Sequence, residues 1–179
     1  MKYFLYILMP MLFLFYGCAS TPPDYYKQIK LEMSTARLVG SYPISDSDSA
    51  NINGYHFTYD KENRHIRIKY LINGKVSDIP PSSFANIPII KIGYTDTFIS
   101  RAFFDKDNNK IDLNGIHKER LRLNEDGHVV AIFHYGMDDE VTENKVGVSK
   151  YQFSLNKKGW IIKSIRFDSE GNRIIDDQG

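Results

Sequence analysis

Two stretches in the C-terminal half decide the fold: "KERLRLNEDGHVVAIFHYG", residues 118–136, and "KYQFSLNKKGWIIKSIRFD", residues 150–168. They align without a gap at an offset of 32 positions. The matching pairs are Lys118 with Lys150, Leu121 with Phe153, Leu123 with Leu155, Asn124 with Asn156, Gly127 with Gly159 and Val129 with Ile161. A fixed interval of this length is typical of tandem structural repeats.

Each copy has the pattern of a β-hairpin. Apolar residues occupy every second position on both sides of a short polar stretch, which places one face of each predicted strand on a core. The polar stretches "NEDGH" and "NKKGW" fit a type I turn closed by a left-handed glycine, Gly127 or Gly159. Because the turns are this short, we predict that successive strands lie antiparallel.

The repeat extends toward the N-terminus. Moving 64 positions back from Gly127 reaches Asn63, and asparagine is the residue after glycine that best tolerates a left-handed backbone. The second copy, roughly 89–115, is about one residue out of register and lacks the glycine turn. Further turns are predicted at Gly115, Gly147 and Gly171. Residues 55–179 are therefore predicted to form a mainly β, antiparallel meander of about four tandem β-hairpin repeats.

A recurring motif runs through these units: "YDKENRHI" begins at Tyr59, "FDKDNNKID" at Phe104 and "FDSEGNRII" at Phe167. The form aromatic-Asp-x-x-Gly-Asn-x-Ile resembles the tandem hairpins of MORN-variant and YD-type repeat proteins of bacteria. The resemblance implies the repeat architecture. It also implies the range of roles that such repeats serve, as scaffolds, toxin shells or immunity-type partners.

The first 17 residues have the character of an export signal. In "MKYFLYILMPMLFLFYGC" a single cation, Lys2, precedes an uncharged apolar run that is shorter than the roughly 20 residues of a membrane-spanning helix. Its end, "LFYGC", resembles a bacterial lipoprotein lipobox, with Gly17 before Cys18. The resemblance implies cleavage after Gly17, lipid on Cys18 and a membrane anchor in the cell envelope.

The residue after the cysteine bears on the location of such an anchor. By resemblance to lipoprotein sorting, Ala19 in place of aspartate favours the outer membrane over the inner one. The alternative is a soluble secreted protein whose Cys18 is discarded with the signal peptide.

Between the signal and the repeats lie a tether and an N-terminal segment. Residues 18–24 contain "ASTPPD", in which prolines and small polar residues disfavour both helix and core. In the segment 25–54, Tyr25, Ile29 and Met33 have helical spacing and Asp24 is a suitable N-cap, so a short helix is predicted there. The polar loop "SDSDSANING" follows at 45–54. A second exposed loop is predicted in the proline-rich stretch 77–88.

Composition excludes several classes of function. Without the first 17 residues the chain has 162 residues and equal numbers of acidic and basic side chains, 22 of each. This balance gives no support for nucleic-acid binding. No cysteine remains after Cys18, so disulfides and thiolate metal sites are not expected.

The stretch "DKDNNKID", residues 105–112, raises the question of a calcium site. Asp105, Asp107 and Asn109 stand at positions 1, 3 and 5 of an EF-hand loop. However, Lys110 replaces the glycine of position 6 and Ile116 replaces the glutamate of position 12. Because Asp and Asn are common in turns, we interpret the stretch as a plain turn and predict no metal or cofactor.

No catalytic arrangement is visible in the sequence. The five histidines, His56, His65, His117, His128 and His134, show no recognised ligand spacing, and no G-x-S-x-G motif occurs. His134 and Arg166 stand at equivalent repeat positions, which we assign to a solvated face. The carboxylate pairs at 138–139 and 176–177 lie in predicted turns, where burial does not raise a pKa.

These features favour a lipid-anchored cell-envelope protein with a non-catalytic interaction or structural role. Its expected partners are the membrane, through lipid on Cys18, and an envelope protein or glycan. Two alternatives stay open. One is an envelope hydrolase acting on glycan or cell-wall material, which needs only two carboxylates brought together in space. The other is an immunity-type protein that neutralises a toxin.

Overall fold

The computed structural model describes residues 22–32, 35–78 and 87–175. In chain order the strands are β1 Tyr25–Glu32, β2 Arg37–Ile44, β3 Gly54–Tyr59, β4 His65–Ile72, β5 Lys75–Val76, β6 Ile89–Tyr94, β7 Phe98–Phe104, β8 Lys118–Leu123, β9 Val129–Tyr135, β10 Lys150–Leu155, β11 Ile161–Phe167 and β12 Arg173–Ile174. The predicted signal, Cys18, Asp176, Asp177 and Gly179 lie outside the described residues.

All strands belong to one antiparallel sheet. Its order is β12-β11-β10-β9-β8-β7-β6-β4-β3-β1-β2, and β5 pairs with the end of β4. From β6 to β12 each strand lies beside its sequence neighbours, so this part is a simple meander. The predicted fold class, a mainly β antiparallel meander, is therefore confirmed, and the sheet stays open. The described sheet contains twelve strands, since the N-terminal segment also contributes to it.

The predicted N-terminal helix is wrong. Residues 25–32 form β1, which pairs with β2 through contacts such as Ile29 with Gly40 and Leu31 with Leu38. The segment forms a strand and not a helix because a matching strand, β2, follows within a few residues and pairs with it. Gly40 also makes room for the ring of Tyr26, whose Cγ would lie 2.3 Å from a Cβ at that position.

Asp24 and the segment after β2 also differ from the prediction. The predicted N-cap, Asp24, instead accepts a backbone hydrogen bond from Phe57 of β3 through its carbonyl, at 2.7 Å. The predicted polar loop 45–54 contains a 3-10 helix, Asp46–Asn51. Of the proline-rich stretch 77–88, residues 79–86 lie outside the described residues.

The β1–β2 hairpin lies over one face of the sheet, which we name the covered face. β1 pairs with β3 only through Tyr25 and Tyr26. The hairpin then leaves the sheet edge, and Ala36 and Leu38 join the core, with Leu38 only 1% exposed. The covered face is defined by buried side chains that alternate along the strands; they include Phe57, Ile68, Ile90, Ile99, Phe103, Leu121 and Val129.

Seven turns of the described chain share one hydrogen-bond pattern. The fourth residue donates its N–H to the carbonyl of the first, and the first donates to the carbonyl of the fifth. These turns begin at Asp60, Asp105, Asn124, Gly136, Asn144, Asn156 and Asp168. The fourth residue always has a positive φ; these residues are Asn63, Asn108, Gly127, Asp139, Gly147, Gly159 and Gly171.

The side chain at the first position reinforces most of these turns. Asn156 Oδ1 accepts the N–H groups of Lys158 and Trp160, at 2.9 and 3.1 Å. Corresponding bonds to the fifth residue form at Asp60, Asp105, Asn124, Asn144 and Asp168. An Asp or Asn side chain that bonds to nearby backbone in this way stabilises a turn over competing conformations.

A further connection uses a tighter turn. Asn114 and Gly115 both have positive φ, and Leu113 and Ile116 bond to each other across them. This geometry matches a type I′ turn, for which Asn-Gly is the favoured sequence. Gly115 therefore occupies a left-handed turn position, like Gly127 and Gly159.

The repeat is also recorded in the backbone register. Pairing shifts by one residue between Thr58 and Tyr59, between Arg122 and Leu123, and between Ser154 and Leu155. These irregularities are 64 and 32 positions apart, as the sequence repeat is. A β-bulge of this kind increases the local twist of a sheet, so the repeat also sets the curvature.

We predict different costs for two equivalent glycines. Gly127→Ala forces a side chain into a left-handed backbone but meets open space, so it should lower the free energy of unfolding by about 1–2 kcal/mol. Gly159→Ala has the same strain and also places a Cβ 2.2 Å from His128 Nε2, so about 1 kcal/mol more should be lost. Urea denaturation measures both values.

The double variant His128→Ala with Gly159→Ala provides the control. Relative to His128→Ala alone, the double variant should lose only as much free energy of unfolding as Gly127→Ala does, because the obstructing ring is gone. Equal losses in the two single variants would contradict the packing of His128 on Gly159.

Candidate functional site

A row of ionisable side chains crosses the covered face. Arg101 of β7 lies opposite Glu119 of β8, which lies opposite His134 of β9. Arg101 is 6% exposed and His134 3%. Arg101 Nη2 donates to Glu119 Oε2 at 2.5 Å, and His134 Nε2 lies 3.9 Å from Glu119 Oε1. A buried guanidinium is thus matched by a carboxylate on the neighbouring strand.

This row connects the sheet to the hairpin above it. Arg101 Nη1 donates to the carbonyl of Ala36 at 3.3 Å, and Ala36 lies where the chain turns from β1 into β2. His134 Nδ1 donates to the carbonyl of Val148 at 2.8 Å. Among the described residues, Arg101 Nε is the one buried side-chain nitrogen or oxygen without a hydrogen-bond partner. The row therefore holds the hairpin and three strands together.

The solvated face predicted for His134 and Arg166 is wrong. Both lie on the covered face, where His134 is buried against the ring of Tyr151 and Arg166 is half-buried opposite the same residue. The two residues occupy equivalent positions in the repeat, as predicted, but these positions lie on the covered face and not on a solvated one. The sequence did carry one signal: His134 is two residues from Ile132, so alternation places both on one side.

A half-buried imidazole lies at the other end of the covered face. His65 contacts the rings of Phe57 and Tyr94, at centroid distances of 5.6 and 6.4 Å. Burial, together with the positive charges of Arg37 and Arg101, lowers the pKa of His65 to about 4, although the charge of Asp60 opposes this change. His65 is therefore uncharged at neutral pH, which suits its aromatic surroundings.

An apolar cavity of about 340 Å³ lies between the hairpin and the last strands. The sheet side is formed by residues of β9, β10 and β11, and the hairpin side by Leu31 and Ala36. The sheet residues are Val129, Ile132, Tyr151, Phe153, Ile161 and Ser164. Among the described residues no acidic or basic side chain lines the cavity, and the polar groups on its wall belong to Ser164 and Tyr151. Such a cavity suits an apolar ligand.

The stretch "DKDNNKID" forms a hydrogen-bonded turn. Asp105 Oδ1 accepts the N–H of Asn109 and Oδ2 accepts its side-chain amide, and these bonds hold the pKa of Asp105 below its ordinary value. Asp107 pairs with Lys106 at 2.9 Å. Across residues 22–32, 35–78 and 87–175 no group of three or more His, Cys, Asp or Glu side chains is placed to hold a metal ion.

Most other carboxylates also lie in turns. Lys118 donates to Asp139 and holds its pKa low, and Ser169 does the same for Glu143. Within the described strands only two residues carry a carboxylate, Glu32 at the end of β1 and Glu119 of the buried row. The covered face therefore presents one acid between its strands, and that acid is bound by Arg101.

We predict an asymmetric cost for breaking the buried ion pair. Glu119→Gln leaves the guanidinium of Arg101 buried without a counter-charge, so the free energy of unfolding should fall by about 3–5 kcal/mol. Replacing both partners by apolar residues, Arg101→Met with Glu119→Leu, should cost much less. Urea denaturation of the single and double variants measures the coupling.

The matched control for Glu119→Gln is Asp139→Asn. Asp139 pairs with Lys118 and its side chain is about half exposed, so the same loss of charge should cost much less there. Equal costs at Glu119 and Asp139 would show that burial does not set the value.

We also predict that stability falls as the pH drops from about 6.5 to 4. The unfolded chain protonates His65 near its ordinary pKa of 6.5, whereas the folded protein does so only near 4. Because the unfolded state binds more protons in this range, acid favours it. Burial also lowers the pKa of His56, which adds to the effect. Thermal unfolding at pH 7.5 and 4.5 measures the loss.

His65→Phe keeps an aromatic ring and removes the titrating group. Its unfolding temperature should change less between the two pH values than that of the unmodified protein. An unchanged pH dependence would exclude His65 as its source.

Across the part of the chain that the structure describes, no helix has the length and apolar character needed to cross a membrane. The chain matches no protein-family model, no curated protein and no solved structure.

Proposed function

We propose that this is a lipid-anchored cell-envelope protein with a non-catalytic binding role, and that its binding site is the cavity on the covered face. The observation that carries the proposal is the cavity itself: it measures about 340 Å³, and the described residues that line it carry no acidic or basic group. That volume lies in the range of ligand pockets, and an unoccupied apolar wall is costly to leave in water.

The anchor half of the proposal rests on the N-terminal sequence. A short apolar run ends in "LFYGC", and lipid on Cys18 would hold the protein at a membrane, with the outer membrane favoured by Ala19. The tether 18–24 then leads directly into β1, whose neighbour Asp24 is bound to β3. The repeat domain would thus sit within a few residues of the bilayer surface.

The distribution of acids supports binding over hydrolysis. A glycosidase uses two carboxylates about 5–10 Å apart, one of them with a raised pKa. Glu119 is held by Arg101, and the carboxyl groups of Asp105, Asp139 and Glu143 have lowered pKa values in turns. An immunity-type role that neutralises a toxin would be one form of the binding function, with a protein as ligand.

The anchor is tested by labelling cells with radioactive palmitate. The unmodified protein should incorporate label and fractionate with membranes, because the thioether lipid forms on Cys18. Cys18→Ala should lose both properties. Membrane fractionation without label in the unmodified protein would contradict a lipid anchor.

The binding site is tested with a photoreactive phenylalanine analogue introduced at single positions in cells. At Leu31, on the rim of the cavity, it should crosslink to a defined envelope component. At Lys157, on an exposed turn away from the cavity lining, it should not. Identical crosslinking at Leu31 and Lys157 would contradict a binding role for the cavity.

A further inference from the structure

The outer edge of β11 is largely uncovered in the described chain. β12 pairs only with the last two residues of β11, Arg166 and Phe167. In an antiparallel ladder, successive residues direct their backbone groups to alternate sides. Since Ile165 and Phe167 pair toward β10, the N–H and C=O groups of Ser164 face the open side.

Earlier units show what covers such an edge. The second strand of each preceding unit is covered by the next strand of the meander: β7 by β8, and β9 by β10. In the second case Ile132 lies opposite Tyr151. Ser164 is the equivalent of Ile132 one unit later, so a strand in the same register would place a side chain opposite Ser164.

The cavity lies where those side chains would point. Ser164 and Ile161 of β11 line it, together with Tyr151 and Phe153 of β10. A strand added beside β11 would have its own equivalents of Tyr151 and Phe153 on the covered face, next to Ser164 and Ile161. The open edge and the cavity are therefore two parts of one site.

Exposed apolar side chains mark the same edge. His128 packs on Gly159 of the following turn, whereas its equivalent Trp160 is 60% exposed, with no described turn upon it. Ile162 is 67% exposed. Lys163 lies on the opposite face of β11 from Ser164, so its charge does not enter the cavity. An edge strand that no other strand covers can pair with another chain.

We propose that β11 binds an extended segment of a partner protein as an added antiparallel strand, with apolar side chains at alternate positions entering the cavity. This inference rests on the proposed function, because it names the ligand class of the same site. Backbone pairing supplies affinity and the cavity selects the side chains, as in other cases of strand addition. A lipid acyl chain would leave the N–H and C=O groups of Ser164 unpaired.

The probe is the synthetic peptide SKYQFSLN, which reproduces residues 149–156, the strand that covers the equivalent edge of β9. Trp160 is the only tryptophan of the chain and directly precedes β11. Its fluorescence should therefore change saturably as the peptide is added. Amide hydrogen exchange should slow at Ser164. A peptide N-methylated at alternate residues, on the pairing side, should do neither.

Two substitutions at Ser164 separate backbone pairing from side-chain contact. Ser164→Pro removes the outward N–H while leaving the pairing toward β10, which proline tolerates at an edge. It should weaken peptide binding about tenfold, through one lost hydrogen bond and one unpaired carbonyl on the peptide. Ser164→Ala keeps the N–H and should bind as the unmodified protein does. Urea denaturation checks that both variants are folded.

Several outcomes would overturn the inference. These are no saturable response to the unmethylated peptide, equal binding of the methylated peptide, or equal binding by Ser164→Pro and Ser164→Ala. Concentration-dependent dimerisation that the peptide does not displace would assign the edge to a second copy of this chain instead. Crosslinking from Leu31 to an envelope component without any peptide response would uphold the proposed function and reject the strand as its ligand.

Discussion

The whole structure depends on a turn closed by one residue with a left-handed backbone. At Gly127 and Gly159 the positive φ lets the chain reverse within a few residues, so the next strand must lie antiparallel beside the last. The Asn side chain at the first position of each of these turns accepts hydrogen bonds from backbone N–H groups through its oxygen. This use also gives Asp105 a structural role: its carboxylate accepts two hydrogen bonds from Asn109 within the turn.

A second constraint arises from the N-terminal hairpin. A meander alone would leave the covered face in water, and the β1–β2 hairpin covers only part of it. Its attachment uses Arg101, which bonds to the Ala36 carbonyl and to Glu119 at once. Burying this pair costs desolvation free energy, whereas burying apolar side chains at the same positions would not. The role of the pair is therefore to position the hairpin and not to add stability. The pair fixes where the hairpin lies, and that position leaves the cavity over β9–β11 open.

The sequence predicts local structure best where one residue type has one physical role. Gly127, Gly159 and Asn63 were identified because few residues adopt a left-handed backbone, and their spacing then defined the meander. It failed at β1, because Tyr25 and Ile29 satisfy helical spacing and strand alternation almost equally, and the partner strand β2 decided between them. The row of Arg101 and its neighbours was missed, since it forms across strands that only the register brings together.

The same repetition that builds the sheet also explains why its last part differs from the rest. Each second strand acquires its cover, and each turn its packed ring, from the unit that follows, as β9 does from β10 and Gly159 from His128. Within the described chain β11 is covered only at Arg166 and Phe167, so its open edge, the exposed Trp160 and the cavity lie side by side. An uncovered edge beside an apolar cavity is unfavourable in water and invites aggregation unless something occupies it. The open side of β11 and the adjoining apolar cavity together form a surface shaped for an extended polypeptide.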